Sequence, residues 1–230
     1  MIRVNQALLE QYMECDVVQD HLDNIKNPSE LGLTCNQWLA NTPPKRAIFH
    51  RMYDFCFKSV EPLKILDVGG GVSSFTPLMQ AKHDYTLCDL MAHDDLEGAQ
   101  KALGLSDLNF LKACDWLDLA DDEYDLVIAN DLFPNVDQRL EMFLDKFLPQ
   151  TKKISLSLTV YDQPKFYLTQ RVGVEEHLTV LAWNSDFLTR VLEKYMDRII
   201  EPNFTIFKEK SISLYPNGRH VYLCEFLGDL

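Results

Sequence analysis

Leu63-Lys64-Ile65-Leu66-Asp67-Val68-Gly69-Gly70-Gly71-Val72-Ser73-Ser74-Phe75 decides the fold of this 230-residue chain. A short apolar run leads straight into three glycines, and Ser73 or Ser74 then opens a helix-compatible stretch. Such a run reads as a buried strand of a parallel sheet. The glycines permit a tight turn and let a ligand approach the backbone without meeting a Cβ. The following helix presents free N–H groups. In an open α/β sheet this is the crevice at the carboxyl ends of the strands, where ligands bind. On its own, Gly69–Gly71 is also compatible with a plain flexible turn, so the surrounding strand ends carry the argument.

From residue 63 onward, short apolar runs alternate with polar, helix-compatible stretches. Strand candidates are 63–68, 85–88, 109–113, 124–129 and 153–160, with helices near 74–81, 96–103 and 138–147. This alternation marks βαβ units and a parallel sheet. A further helix over 185–195 has Asn184 or Ser185 as its cap. Two β-prone stretches, 203–214 and 219–227, flank Tyr215-Pro216-Asn217-Gly218, and the Asn-Gly pair predicts a hairpin that makes them antiparallel neighbours. Residues 1–60 read as helical instead. Leu8, Leu9, Tyr12 and Met13 follow helical spacing, as do Ile48, Met52 and Phe55 after Pro43-Pro44. The expected division is an N-terminal helical cap (1–60) and an α/β domain (61–230), with an insertion at 161–183 that is too long for a simple connection.

Three strand ends deliver acids to the crevice. The strand ending Leu87-Cys88 runs into Asp89, whose carboxylate can accept both ribose hydroxyls of a nucleoside or can cap a helix. The next strand ends in Asp115-Trp116, an acceptor for an exocyclic amine beside an aromatic surface, although a Trp there also suits a core. Asp67, Asp89 and Asp115 together make a coherent adenosine site. A nicotinamide dinucleotide would also want glycines and an acid, but its pattern is G-x-G-x-x-G and here Ser74 stands in the last place.

Residues 63–160, with the closing β stretches, resemble the class I S-adenosylmethionine-dependent methyltransferases. The family's first motif, D/E-x-G-x-G-x-G, is matched by Asp67-Val68-Gly69-Gly70-Gly71-Val72-Ser73, with Ser73 replacing the third glycine. The resemblance implies a Rossmann-like, seven-stranded, mostly parallel sheet with a C-terminal antiparallel hairpin. It also implies S-adenosyl-L-methionine as cofactor and S-adenosyl-L-homocysteine as product. Gly69 and Gly71 would line the methionine portion, Asp89 the ribose and Asp115 the adenine, with Asp67, Gly70, Leu90, Trp116 and Asn130 completing the cofactor site. The fourth strand end, Asn130-Asp131-Leu132-Phe133, would face the acceptor. Relatives that methylate adenine or amide nitrogen carry Asn-Pro-Pro-aromatic there; Asn130 and Phe133 match its ends, while Asp131-Leu132 replace both prolines.

Acceptor-side candidates follow. Asp131 could orient or deprotonate a hydroxyl or amine, or simply cap the turn before the next helix. The 161–183 insertion, a lid candidate, holds Tyr161, Tyr167, Arg171, Glu175, Glu176 and His177. His177 has the pKa range of a general base, yet also reads as a surface His beside two Glu. Arg171 suits an anionic acceptor or an ion pair with Glu175. Phe133, Tyr161, Tyr167 and Arg171 are thus the substrate-contacting candidates, and Asp131 and His177 the catalytic ones.

The formal charge of −13 repels phosphate backbones and anionic lipids, which argues against nucleic-acid or membrane partners. None of the six cysteines forms a CxxC pair, and Cys88 and Cys114 read as small core residues. Asp94, Asp95, Asp121 and Asp122 lie in polar connections without His at ligand spacing, so no metal is expected. The opening residues lack a signal-peptide pattern and no run of 18 apolar residues occurs, which makes the cytoplasm the expected compartment. The expected reaction is O- or N-methylation of a small polar metabolite: a sugar, a nucleotide-linked sugar or a secondary-metabolism intermediate. The chain is also compatible with a homodimer. Two other readings stay open, a catalytically silent S-adenosylmethionine-binding partner or regulatory protein, and an NAD-dependent oxidoreductase.

Overall fold

The computed structural model describes residues 1–170, 177–209 and 211–230. A two-residue strand, β1 (Ile2–Arg3), precedes four helices: α1 (Gln6–Met13), α2 (Val17–Asp23), α3 (Thr34–Asn41) and α4 (Pro43–Lys58). Alternation then begins with β2 (Lys64–Val68), α5 (Thr76–Lys82), β3 (Asp84–Cys88), α6 (Leu96–Leu103), β4 (Leu111–Lys112), β5 (Tyr124–Phe133), α7 (Leu140–Phe147) and β6 (Thr151–Val160). The chain finishes through β7 (Lys165–Gln170), β8 (His177–Ala182), α8 (Ser185–Leu192) and β9 (His220–Leu227).

Seven strands form one sheet in the order β1-β9-β6-β5-β2-β3-β4. Strands β2 to β6 run parallel to one another, and β9 runs antiparallel to both β6 and β1. Period-2 side-chain direction sends Leu66 and Val68 to one face and Ile65 to the other, and both faces are covered. On one side, α7 and α8 bring Leu140, Phe143, Phe147, Leu188 and Leu192 against Val127, Ile154 and Leu156. On the other, α4 and α6 bring Ile48, Met52, Cys56, Ala99 and Ala102 against Leu87, Leu126 and Ile128. This three-layer Rossmann-like architecture is the one the sequence predicts. No helix among the described residues is long and apolar enough to cross a membrane.

Three elements differ from expectation. The described residues of the 203–214 stretch are not the partner of the last strand: Phe204–Phe207 is a short 3-10 helix capped by Asn203, and β9 pairs instead with β1 from the other end of the chain. Arg3 explains the exchange. Its guanidinium donates to the Tyr222 hydroxyl (3.0 and 2.7 Å) and to the carbonyls of Ile206 and Glu209, so those carbonyls serve a buried cation rather than a strand ladder. The first residues therefore belong to the sheet as well as to the cap. The antiparallel hairpin of the C-terminal third is β7–β8, a separate two-stranded sheet inside the 161–183 insertion. Finally, the third parallel strand shrinks to two residues, whereas β5 continues past Ala129 to Phe133 through a register shift.

Helices α1 to α4 are tied together by Arg46, buried and ion-paired with Asp16 at 2.8 Å while donating to the carbonyls of Leu39 (2.8 Å) and Ala40 (3.1 Å). Phe75, just past the glycine turn, packs into the same cluster as Tyr12, Val18, Leu22 and Leu39. The cap is thereby seated on the carboxyl end of β2.

Candidate functional site

Strand β2 ends in a turn whose Gly69 and Gly71 have φ of 69° and 66°, the left-handed region that favours glycine. Gly69 N–H donates to Cys88 O at 2.8 Å, fixing the turn to β3. A Cβ on Gly71 would collide with Cys35 Sγ of α3, so the cap closes directly over the glycines. Asn36, one residue on, accepts from the Ser74 N–H and hydroxyl, both at 3.1 Å.

Asp67 lies beneath this turn. It is 2 % exposed and accepts from the Tyr53 hydroxyl (3.0 and 2.9 Å) and the Tyr85 hydroxyl (2.9 Å). Burial pushes its carboxyl up to about 7, against the pull of the two phenols. Asp67 therefore supports the glycines from below and is closed off from the cleft above them.

Asp89 does face that cleft. Its carboxylate accepts from Gly71 N–H at 3.1 Å and Met91 N–H at 2.7 Å, and it lines a cavity of about 390 Å³ with Gly69, Gly71, Leu90 and Asn130. Burial raises its pKa, and the two backbone donors oppose the rise. Leu90 is 61 % exposed on the cleft wall. A smaller cavity of about 70 Å³ adjoins, sharing Cys35, Trp38, Lys45, Gly69, Asn130 and Asp131 and adding Gly70, Phe49, Ser157 and Tyr215.

Asp131 stands where the two cavities meet. Its φ of 56° is the left-handed region, uncommon for a residue with a Cβ, and it falls in the register shift of β5. Its N–H donates to Ser157 Oγ (2.7 Å), whose hydroxyl in turn donates to Asn130 Oδ1 (2.8 Å). The carboxylate takes Lys45 Nζ of α4 at 3.0 Å and Arg219 Nη1, just ahead of β9, at 2.9 Å. Burial pushes its pKa upward, but the two cations outweigh this and hold it below the ordinary carboxylate value. Such a group stays ionised and orients partners. It is a weak proton acceptor.

Other candidates lie elsewhere. Trp116 is 4 % exposed, wedged among Phe133, Phe143 and Phe147, with its indole N–H on Asp137 at 2.8 Å and Arg139 over its face. It offers no free surface to an adenine. Phe133 is wholly buried in the same cluster and cannot touch an acceptor. In both cases burial of the large ring outweighs its value as a binding surface. Asp115 pairs with Arg139 (2.8 and 3.1 Å) and caps Leu117 N–H, outside the residues lining either cavity. Tyr161 is buried against Tyr167, their hydroxyls 3.4 Å apart, and it lines a different cavity beside Arg3 and Tyr222. His177 is exposed at the start of β8, although its neighbour Leu178 reaches the main cleft. Arg171 lies outside the described residues, as do Glu175 and Glu176. Among the described residues, no group of three or more His, Cys, Asp or Glu side chains could hold a metal ion.

Residue pattern did not point to Cys35, Trp38, Lys45, His93, Ser157, Tyr215 or Arg219, all of which line the cavities. Lys45 and Arg219 are 86 and 88 positions from Asp131, and the only local signals were Pro43-Pro44 and Asn217-Gly218, which place a helix start and a turn beside them.

No protein-family model matches the chain, and no curated protein matches it. Solved structures do. DhpI in complex with SAH aligns at 13 % identity over 97 % of this chain and 98 % of its own, with a TM-score of 0.54. The N-methyltransferase NodS from Bradyrhizobium japonicum WM9, in complex with S-adenosyl-L-homocysteine, aligns at 12 % identity over 93 % and 99 %, with a TM-score of 0.52. The fold is that of the class I S-adenosylmethionine-dependent methyltransferases.

Proposed function

We propose that this chain transfers a methyl group from S-adenosylmethionine to an oxygen or nitrogen of a small polar metabolite. The observation that carries the reading is the left-handed glycine turn with Asp89 beside it, opening on a cleft that continues past Asn130 and Asp131 into a second, smaller cavity. The cradle fits the cofactor: Gly69 and Gly71 leave backbone exposed on the cleft, and each Asp89 oxygen already holding one N–H keeps a lone pair for a ribose hydroxyl. Leu90, Met91 and Leu132 offer apolar walls to a flat base. The fold shared with DhpI and NodS, both bound to the demethylated cofactor, supports the same assignment.

When bound, S-adenosylmethionine supplies an electrophilic methyl on a sulfonium, so the protein's task is alignment and water exclusion. In this reading the cap helices α3 and α4 roof the acceptor through Cys35, Trp38 and Lys45, and the 161–183 insertion closes the far side through Leu178. Asp131, kept charged by Lys45 and Arg219, orients the acceptor's donor group and leaves proton removal to solvent or to another group. The NAD reading loses ground with the antiparallel β9 inside the sheet, since the dinucleotide-binding order 3-2-1-4-5-6 is built from parallel strands.

The test is a melting-temperature series with S-adenosylhomocysteine, NAD and ATP. At a hundredfold excess over Kd a ligand adds about 2.7 kcal/mol, about 5–10 °C for a chain of this size. A shift with S-adenosylhomocysteine alone is expected; a shift with NAD alone would refute the proposal.

A further inference from the structure

We infer that the acceptor carries a carboxylate or a phosphate monoester, held where the two cavities meet by Lys45, Arg219 and the Tyr215 hydroxyl. This rests on the methyltransferase reading above and adds the acceptor's charge.

Two cations face one anion at that point. Lys45 Nζ and Arg219 Nη1 both close on Asp131, which leaves one positive charge in surplus inside a chain of net charge −13. Asp89 and Asp94 share the cleft, but their carboxylates are engaged locally: Asp89 by the Gly71 and Met91 N–H groups, Asp94 by the Thr34 N–H (3.1 Å) and hydroxyl (3.0 Å). Their negative charge stays in the cleft and acts beside Lys45 at Cys35, whereas the charges that act on Asp131 itself are Lys45 and Arg219.

Two buried donors there lack acceptors. Arg219 is 8 % exposed and its Nε–H makes no well-formed hydrogen bond; the guanidinium lies against the Tyr215 oxygen, whose own buried O–H has no acceptor. The guanidinium carbon stands 4.0 Å from the Tyr215 ring centroid, so the pair meets as a cation over a π face. Buried donors without partners are rare in folded proteins because they give up water for nothing. Here both belong to side chains that line the cavities, Tyr215 the smaller and Arg219 the larger. A planar guanidinium fork matches carboxylate and phosphate oxygens, and an anion at this point would balance the surplus charge and, with a small turn of the two side chains, meet both donors. A neutral oxygen would accept from the donors but leave the charge unbalanced.

The experiment measures melting temperature on protein saturated with S-adenosylhomocysteine, adding inorganic phosphate, acetate or, as neutral isostere, acetamide, at matched ionic strength. Phosphate, acetate or both should raise the melting temperature by a few degrees, and acetamide should not. A response to phosphate alone marks a phosphoryl acceptor, and one to acetate alone a carboxylate. Arg219→Gln should abolish the anion shift. Tyr215→Phe, which removes a hydroxyl whose O–H has no acceptor in the free protein, should shrink the anion shift by about half or more, with S-adenosylhomocysteine affinity held within about twofold. This variant keeps the test decisive should Arg219→Gln fail to fold.

No shift with either anion, an equal shift with acetamide, or an anion shift undiminished in either variant overturns the inference. So does an Arg219→Gln protein that binds S-adenosylhomocysteine about tenfold more weakly but 5′-methylthioadenosine unchanged, because the cations would then serve the cofactor's own carboxylate. Failure of wild type to bind S-adenosylhomocysteine at all refutes the methyltransferase reading instead, and the same anion series on ligand-free protein still decides the anion site.

Discussion

Replacing Gly71 by Ala isolates the two costs that hold the glycine turn in place. The first is backbone conformation: at φ 66° a Cβ meets the following carbonyl, about 1–2 kcal/mol for an L-residue. The second is collision, because the new methyl would run into Cys35 Sγ on the cap helix α3, and overpacking of this kind costs about 1–3 kcal/mol. Gly71→Ala should therefore destabilise by about 2–5 kcal/mol. At about 2–4 °C per kcal/mol for a chain of this length, the loss is easily read in a thermal or urea melt. Cys35→Ala removes the colliding sulfur and leaves only the backbone cost, so the double variant should recover about 1–3 kcal/mol relative to the sum of the singles. The assay is a double-mutant cycle by urea denaturation, repeated with saturating S-adenosylhomocysteine. If the double variant is as unstable as additivity demands, Cys35 does not press on the turn and the account of the cap closing over the glycines is wrong.

Asp89→Ala should weaken S-adenosylhomocysteine binding by about 10- to 100-fold, the range expected on losing hydrogen bonds to a charged acceptor, with calorimetric titration as the check; an unchanged affinity would remove Asp89 from the ribose site. Asp67 carries a sign-definite pH signature. Its folded pKa of about 7 lies above the ordinary 3.8, so its stability contribution is complete below about pH 4 and drains away as pH rises to about 7; Asp67→Asn should flatten that part of the stability–pH curve relative to wild type, and parallel curves would contradict the buried placement. Trp116→Ala should cost about 3–5 kcal/mol of stability as a core deletion while leaving S-adenosylhomocysteine affinity in the surviving folded protein near wild type, whereas a stacking role would show as lost affinity.

The parts of the fold visible in the sequence are those set by local chemistry. A strand buried on both faces is mostly apolar and a sharp left-handed turn needs glycine, so the run around Ile65-Leu66 and Val68 and the turn Gly69–Gly71 announce themselves. Helix α6 lies where its spacing says, because Asp95 caps it and Gly104 at φ 64° ends it. What stays hidden depends on partners far away in the chain. Residues 203–214 have strand-like composition, yet Arg3 claims two of their carbonyls, and no local pattern can reveal a competitor some 200 residues distant. The same holds in the site. An acid beside a Trp looks alike whether the ring faces a ligand or the core, and it is Phe143 and Phe147 of α7, with Arg139 just ahead of that helix, that put Trp116 inside. Residue type points to His177, but the hairpin register that turns it to solvent comes from pairing with β7.

The charges of the cleft fit a division of labour. Asp89, whose oxygens take backbone N–H groups, sits at the β3 end, where a nucleoside needs acceptors for its hydroxyls. Lys45, Arg219 and Asp131 sit at the β5 end, contributed by the cap, the approach to β9 and the bulged strand end, so that three distant stretches must be in place before the cationic end exists. The remaining surface is strongly acidic, but at physiological ionic strength fields from exposed charges fade over about 8 Å, whereas a buried pair is screened far less. Net charge thus argues against polyanions, which must contact a broad surface, and leaves a small anion free to be held by the two cations alone. That separation of range is what reconciles an acidic chain with a cationic end in its cleft.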